Sequence, residues 1–308
     1  MNVIALDSGY GNTKVCLDCK TRVLQSVVAV PRDIGLAATG MKTTHQIRSV
    51  RFDRFHFAIG SGAWHWGEPR SSMDYTALAS PERRALFYSA LTDLVEPGKY
   101  TIDLLVIGLP VPLLQDKIQA QVVFEALKIY KGQHTFTNGE NETYHLDINR
   151  IRVYAQPVGT YATWFLDDNL NVRKGTNKAE VAIVDIGMNT LDLYVIVGGK
   201  VEPRFIGGGK VGVRRLLELL SSNGREPEEL DADLRSGRLK PSKAELESWL
   251  GEILGIIEQT WPNLRRFDTV IPSGGGAVIL GDASNNEYRF FRTKLKVKGA
   301  ISKRNSSR

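Results

Sequence analysis

VIALDSGYGNTKV (residues 3–15) ends an alternating apolar run on an acid, turns through two glycines and resumes its alternation. VAIVDIGMNTLDLYVI (residues 181–196) repeats that grammar in the other half of the chain. A period of two predicts strands, and the Asp and Gly residues predict a tight turn, so each stretch reads as a hairpin. In the first, Asp7, Gly9, Gly11, Asn12, Thr13 and Lys14 follow the strand. In the second, Asp185, Gly187, Asn189 and Thr190 do so, with a loop that counts one residue shorter. Glycine permits backbone conformations that present consecutive N–H groups, and short Asn and Thr side chains reach phosphate oxygens, so either hairpin is suited to cradle an anion. A carboxylate beside phosphate is repulsive unless a cation intervenes. Asp7 and Asp185 therefore make sense as Mg²⁺ organisers acting through water, with Lys14 neutralising outer phosphates. Asp and Gly also make ordinary turns, and that alone accounts for either hairpin taken singly.

A third stretch lies further out. TVIPSGGGAVIL (residues 269–280) is a strand, a glycine run and an apolar or helical segment, which puts backbone free of side chains at Gly274, Gly275 and Gly276, where a flat ligand group can pack. A flexible corner is the plainer reading of the same glycines. Around these motifs the pattern is α/β. TKVCLD and RVLQSVVAV continue a meander, and IRSVRFDRFHFAIGSGAW (residues 47–64) alternates well enough for one or two more strands. Residues 80–98 carry helix signals, with Ser80 as N-cap and Pro81 in the first turn. IDLLVIGLP reads as a buried strand, Asn138-Gly139 as a hairpin turn, RIRVYAQP as a strand and VGTYATWFLDD as a helix. In the second half a strand to Phe205 and helices at about 210–222 and 241–261 lead to the strand DTVIP.

The chain has 308 residues, 42% hydrophobic and 24% charged, enough for two cores. Its net charge of +6 is concentrated: residues 289–308 hold eight Lys or Arg and no acid, leaving the body slightly acidic. No apolar run is long enough to span a bilayer and the N-terminus enters a strand directly, so a cytoplasmic location with no membrane partner is expected. Cys16 and Cys19 form a lone CxxC on opposite faces of a strand, without the second pair a zinc site needs. A GxxxxGK[ST] loop is absent, and GYGNT does not open a helix as a dinucleotide fingerprint would.

In this order, the three principal stretches resemble the phosphate 1, phosphate 2 and adenosine motifs of the actin, sugar kinase and heat-shock chaperone ATPase superfamily. FHFAIGSGAW, VIGLPV, VYAQPVGTYA and FIGGGKVGVRRLLELL bring the whole chain nearest to the actin-like proteins of plasmid segregation, of the ParM or StbA type. The resemblance implies a two-domain α/β actin-like (ribonuclease H-like) fold with an interdomain nucleotide cleft. Domain I would occupy residues 1–155, with an insertion around 32–80, and domain II residues 156–308. It implies that Asp7 and Asp185 are the two loop acids, that Asn12, Thr13 and Lys14 contact phosphate, and that Gly274–Gly276 match the adenosine loop. Gln156 falls where relatives orient the attacking water; its plainer reading is a strand-end residue bonding to backbone. Positioning water without accepting its proton implies modest turnover.

The expected function is thus a Mg²⁺-dependent ATPase or GTPase that self-associates into filaments, moving plasmid or other DNA through an adaptor. Two alternatives remain in view. A small-molecule kinase of the same superfamily needs an acidic general base for which no convincing residue is found. A DNA-binding protein would work through the basic tail, whose lysines also suit protection of a sheet edge.

Overall fold

Alternate residues of Val3–Ser8 and Asn12–Leu17 are buried, with Ile4, Leu6, Thr13 and Val15 turned into a core and Asp7 and Lys14 turned away from it. The computed structural model describes residues 1–31, 48–70, 75–221, 225 and 227–283. The chain divides into two units, Met1–Gln156 and Pro157–Arg308.

In the first unit a sheet runs in the order Ile151–Ala155, Leu104–Leu109, Val3–Ser8, Asn12–Leu17, Lys20–Gln25. The first three are mutually parallel, and the last three form the expected antiparallel meander. A helix, Pro81–Leu91, packs on it through Ala85, Leu86, Ala90 and Leu91, and Ser80 caps its N-terminus by accepting from the Arg83 N–H at 3.3 Å. A second, seven-stranded sheet gathers Val28–Ala29, Ser49–Phe52, Phe55–Ile59, Pro69–Arg70, Gly98–Ile102, Gly132–Asn138 and Thr143–Ile148. The part of the expected insertion that is described thus contributes strands to a sheet shared with later segments; residues 32–47 and 71–74 lie outside the described residues.

In the second unit the order is Lys200–Val201, Leu191–Val197, Glu180–Ile186, Thr269–Ser273, with Gly207–Gly209 also pairing with Leu191–Val197. Glu180–Ile186 and Thr269–Ser273 are parallel. Helices Val213–Leu220 and Lys243–Thr260 supply Leu216, Leu217, Trp249, Leu250, Ile253 and Ile257 to this core. The longer helix starts on a capping box formed by Ser242 and Glu245.

Several expected boundaries move. TKVCLD stops at Leu17, because Asp18 and Cys19 take φ of 48° and 64° in a two-residue turn; both cysteines are free. RVLQSVVAV is two strands in different sheets, and the helix expected over 80–98 ends at Leu91. The strand expected to reach Phe205 ends at Val201, since Pro203 has no N–H to continue a ladder and opens a short 3-10 turn. Pro227–Arg235 is a helix that the sequence pattern did not announce. No described helix is long and apolar enough to cross a membrane. The basic tail 289–308 lies outside the described residues.

Candidate functional site

Register corrects the comparison of the two hairpins. In the first, Ser8 pairs with Thr13 and Asp7 with Lys14; in the second, Ile186 pairs with Leu191 and Asp185 with Asp192. The loops are therefore the same length, and Gly9 corresponds to Gly187, Gly11 to Asn189, and Asn12 to Thr190. Counting from the Asn-Thr pair misaligns them because Thr13 already belongs to a strand whereas Thr190 is still in the turn.

In the first hairpin the Asp7 carboxylate is half-buried and held from two sides. Its Oδ1 accepts from Gln156 Nε2 at 2.8 Å and its Oδ2 lies 3.0 Å from Lys14 Nζ. Gln156 reaches it because Gly108, beside Asp7 on the neighbouring parallel strand, carries no side chain; a Cβ there would stand 3.2 Å from Gln156 Cγ. Asn12, half-buried, begins the second strand. Thr13 is displaced from its expected role. It is fully buried, and its hydroxyl lies 2.9 Å from Ser26 Oγ, so it packs under the turn and its side chain does not face a ligand.

The turn itself is braced from beneath. The Gly9 carbonyl accepts from Ser26 Oγ at 2.7 Å and from Arg83 NH1 at 2.7 Å, and the Gly11 carbonyl accepts from the Ser26 N–H at 3.0 Å. Gly9 is required sterically, since a Cβ would stand 2.6 Å from the Asn12 carbonyl oxygen. Arg83 is only 6% exposed, stacks its guanidinium over the Tyr10 ring at 5.1 Å, and has its pKa pushed below the ordinary arginine value by burial.

The second hairpin is braced by different means to the same effect. The Gly187 carbonyl accepts from the Val213 N–H at 3.0 Å and the Met188 carbonyl from the Arg214 N–H at 2.7 Å, so the first turn of Val213–Leu220 is satisfied by the loop. Gly212 makes this approach possible: a Cβ there would stand 2.6 Å from the Gly187 carbonyl oxygen. Trp249 anchors the segment by donating Nε1–H to the Val211 and Gly212 carbonyls at 2.9 and 3.1 Å. Asn189 is buried, its carbonyl accepting from the Gly212 N–H at 3.4 Å, and Thr190 Oγ1 donates to Asp192 Oδ2 at 3.4 Å. Within a trans peptide the C=O and the next N–H point in opposite directions, so turning these carbonyls inward turns the succeeding amides outward.

The glycine run divides into unlike members. Gly274 has φ of 83°, and a Cβ there would stand 2.5 Å from Asp185 Oδ1 and strike the Ile186 carbonyl. Gly276 is buried against Ile186 and Trp249, whereas a Cβ on Gly275 would meet nothing. They form the first turn of a helix, Gly274–Ala283, not a flexible corner. Ser273, paired with Asp185 across parallel strands, lies 2.8 Å from Thr160 through its hydroxyl.

The described residues contain no group of three or more His, Cys, Asp or Glu placed to hold a metal, so a dedicated protein cage is not offered. Taken singly, the carboxylate of either hairpin suits an ion that keeps most of its waters and takes other oxygens from a polyphosphate, as magnesium does. Three features escaped the sequence reading. Nothing in the sequence sets Arg83 apart from the other charges of its helix, Ser26 carries no motif, and Asp192 becomes significant only when register sets it opposite Asp185.

The family model described as "Actin like proteins N terminal domain" matches residues 5–159. Among solved structures, the actin-like protein Alp7A has a TM-score of 0.71 at 15% identity, covering 96% of this chain and 89% of that one. The archaeal actin homologue Ta0583 in complex with ADP has a TM-score of 0.68 at 24% identity, with 92% and 90% covered. A 15-stranded ParM filament from Clostridium botulinum has a TM-score of 0.69 at 18% identity, again with 92% and 90% covered. No curated protein matches the chain.

Proposed function

The chain belongs to the actin-like proteins and has their two-domain α/β fold, and from that premise we propose that it binds magnesium-nucleotide through both hairpins, hydrolyses it slowly and polymerises. The observation that carries this reading is that two hairpins of equal length, in different units, each place an acid one residue before the end of a strand and each have their turn carbonyls pulled inward. Inward carbonyls leave amides to meet phosphate, and Asp7 and Asp185 hold the ion's water shell. Asn12, Lys14, Asn189 and Thr190 edge the phosphates, and the nucleoside packs at Gly275, the one member of the glycine run that faces open space, with Gly274 and Gly276 holding the helix start against Asp185 and Ile186. Gln156 positions the attacking water. Magnesium supplies charge neutralisation along the polyphosphate, and the residues supply its orientation.

Filament formation is supported by structural neighbours solved as filaments, and nucleotide binding by the neighbour holding ADP. Loss of the terminal phosphate removes contacts to the hairpins, so nucleotide state controls assembly. A cytoplasmic filament pulling DNA through an adaptor, with the basic tail as an accessory contact, completes the reading.

The test is sedimentation and electron microscopy of the full chain with Mg²⁺ and ATP, GTP or ADP. Polymer is expected with one of the triphosphates, less with ADP, and none with EDTA or in Asp185→Ala. A chain that binds nucleotide but stays monomeric at high concentration removes the filament; one that binds neither nucleotide removes the enzyme as well.

A further inference from the structure

Arg83 occupies an unfavourable position for a cation. It is almost wholly buried, it sits in the first turn of Pro81–Leu91 where the helix dipole is positive, and it forms no ion pair with a described residue. What it touches is the Gly9 carbonyl and the Tyr10 ring, both belonging to the turn of the first hairpin, while Glu82 beside it in the helix and Tyr130 act on it through space and offset the burial only in part. A carbonyl and a π face soften the burial of a guanidinium without neutralising its charge. An arginine serving only to fill space could be a leucine at lower cost.

The geometry of the turn gives the charge a use. Gly9's carbonyl oxygen has two lone pairs, and Ser26 and Arg83 take one each at 2.7 Å. The Gly9–Tyr10 peptide is thereby fixed, and in a trans peptide the Tyr10 N–H must point away from both donors. We propose that Arg83 is a positioning residue for oligophosphate. It locks the Gly9–Tyr10 amide outward, and its buried positive charge is matched to the negative charge of a ligand bound at that turn. This rests on the nucleotide reading above and adds that affinity at the first hairpin is graded by phosphate charge through a residue behind the turn.

The experiment measures binding of ATP, ADP, AMP and adenosine, and of the guanosine series, to the intact chain by calorimetry with Mg²⁺. The variants are Arg83→Gln, Arg83→Lys and Ser26→Ala. Arg83→Gln can still donate to the carbonyl but lacks charge. It is expected to lose about tenfold or more in triphosphate affinity, less for the diphosphate, and nothing for the nucleoside. Arg83→Lys should recover part of the loss. Ser26→Ala keeps the charge while freeing one lone pair, and should give a smaller loss; it also serves if Arg83→Gln fails to fold. An equal loss for nucleoside and triphosphate marks Arg83 as purely architectural and overturns the inference, as does wild-type affinity across the series. If wild-type protein binds no nucleotide, the functional reading falls first and this one with it.

Discussion

At the scale of the residue, the informative group is Gln156, because the structure gives it a carboxylate for a partner. Its Nε2 donates to Asp7 Oδ1 while Lys14 holds Oδ2, so three side chains from three strands or strand ends lock one another's rotamers. A glutamine so placed has its amide nitrogen committed and its amide oxygen available to accept from water. On the proposed function, Gln156→Ala should slow hydrolysis roughly ten- to a hundredfold while nucleotide affinity stays within about threefold, since it removes the proposed water-positioning group and leaves both hairpin turns intact. Single-turnover phosphate release set beside equilibrium binding separates the two; a normal rate with normal affinity takes Gln156 out of the reaction. The sequence already held part of this. Residues 7 and 14 share a face because they are direct cross-strand partners, one position before the last pair Ser8–Thr13, and by the strand's alternation Thr13 falls on the buried face with Val15. Its inward direction is legible in the alternation, against the phosphate-ligand chemistry that a Thr beside an Asn suggests. Arg83 was not legible, since nothing in SPERRALF distinguishes a buried guanidinium from a solvated one.

At the scale of the element, the glycine run shows how much depends on what a neighbouring strand does. Gly274 and Gly275 are adjacent in sequence, yet they have opposite requirements. Gly274 is forced by its positive φ and by the Ile186 backbone, whereas Gly275 faces open space within a helix. Gly275→Ala should therefore be neutral or stabilising by up to about 1 kcal/mol, because alanine restricts the unfolded chain and favours helix. Gly274→Ala should cost about 1–3 kcal/mol and displace Asp185. Chemical denaturation of the two variants reads the difference, and equal effects would show that the helix does not begin against Asp185 as described. The strands and most helices were readable from period and caps, as at Ser80 and Ser242. Which strands pair was less so: the break in RVLQSVVAV and the equal length of the two loops are decided by partners distant in the chain. Pro227–Arg235 was missed because its pattern is acidic with few apolar residues, and charge pairs such as Arg235 with Asp231 at 2.7 Å do not mark a helix on their own.

At the scale of the whole molecule, the distribution of histidines predicts that the two units respond differently to acid. All five histidines lie before residue 157, and the second unit has none. In the first unit His134 is buried between Tyr88 Oη and the Tyr130 carbonyl, each 2.9 Å from a ring nitrogen, in a stack where Tyr88 and Phe136 ring centroids lie 4.5 Å apart. Burial holds the His134 pKa below its ordinary value, with the Tyr130 carbonyl opposing, and His56 is lowered by burial and by Arg51. A folded pKa below the unfolded one means that unfolded chains take up protons first as pH falls. The stability these histidines contribute is therefore present above about pH 6.5 and is lost as pH drops from there through the lowered folded values. Lowering pH from about 7 to about 5.5 should shift the first unit's thermal transition downward and spare that of the second, where Trp249 and Trp261 are buried reporters once Trp64 and Trp66 of the first unit are replaced by phenylalanine. Calorimetry alongside tryptophan fluorescence distinguishes the outcomes. His134→Gln should flatten the pH dependence of the first transition, and a fluorescence-detected transition that falls in step with the other would mean that the units unfold as one.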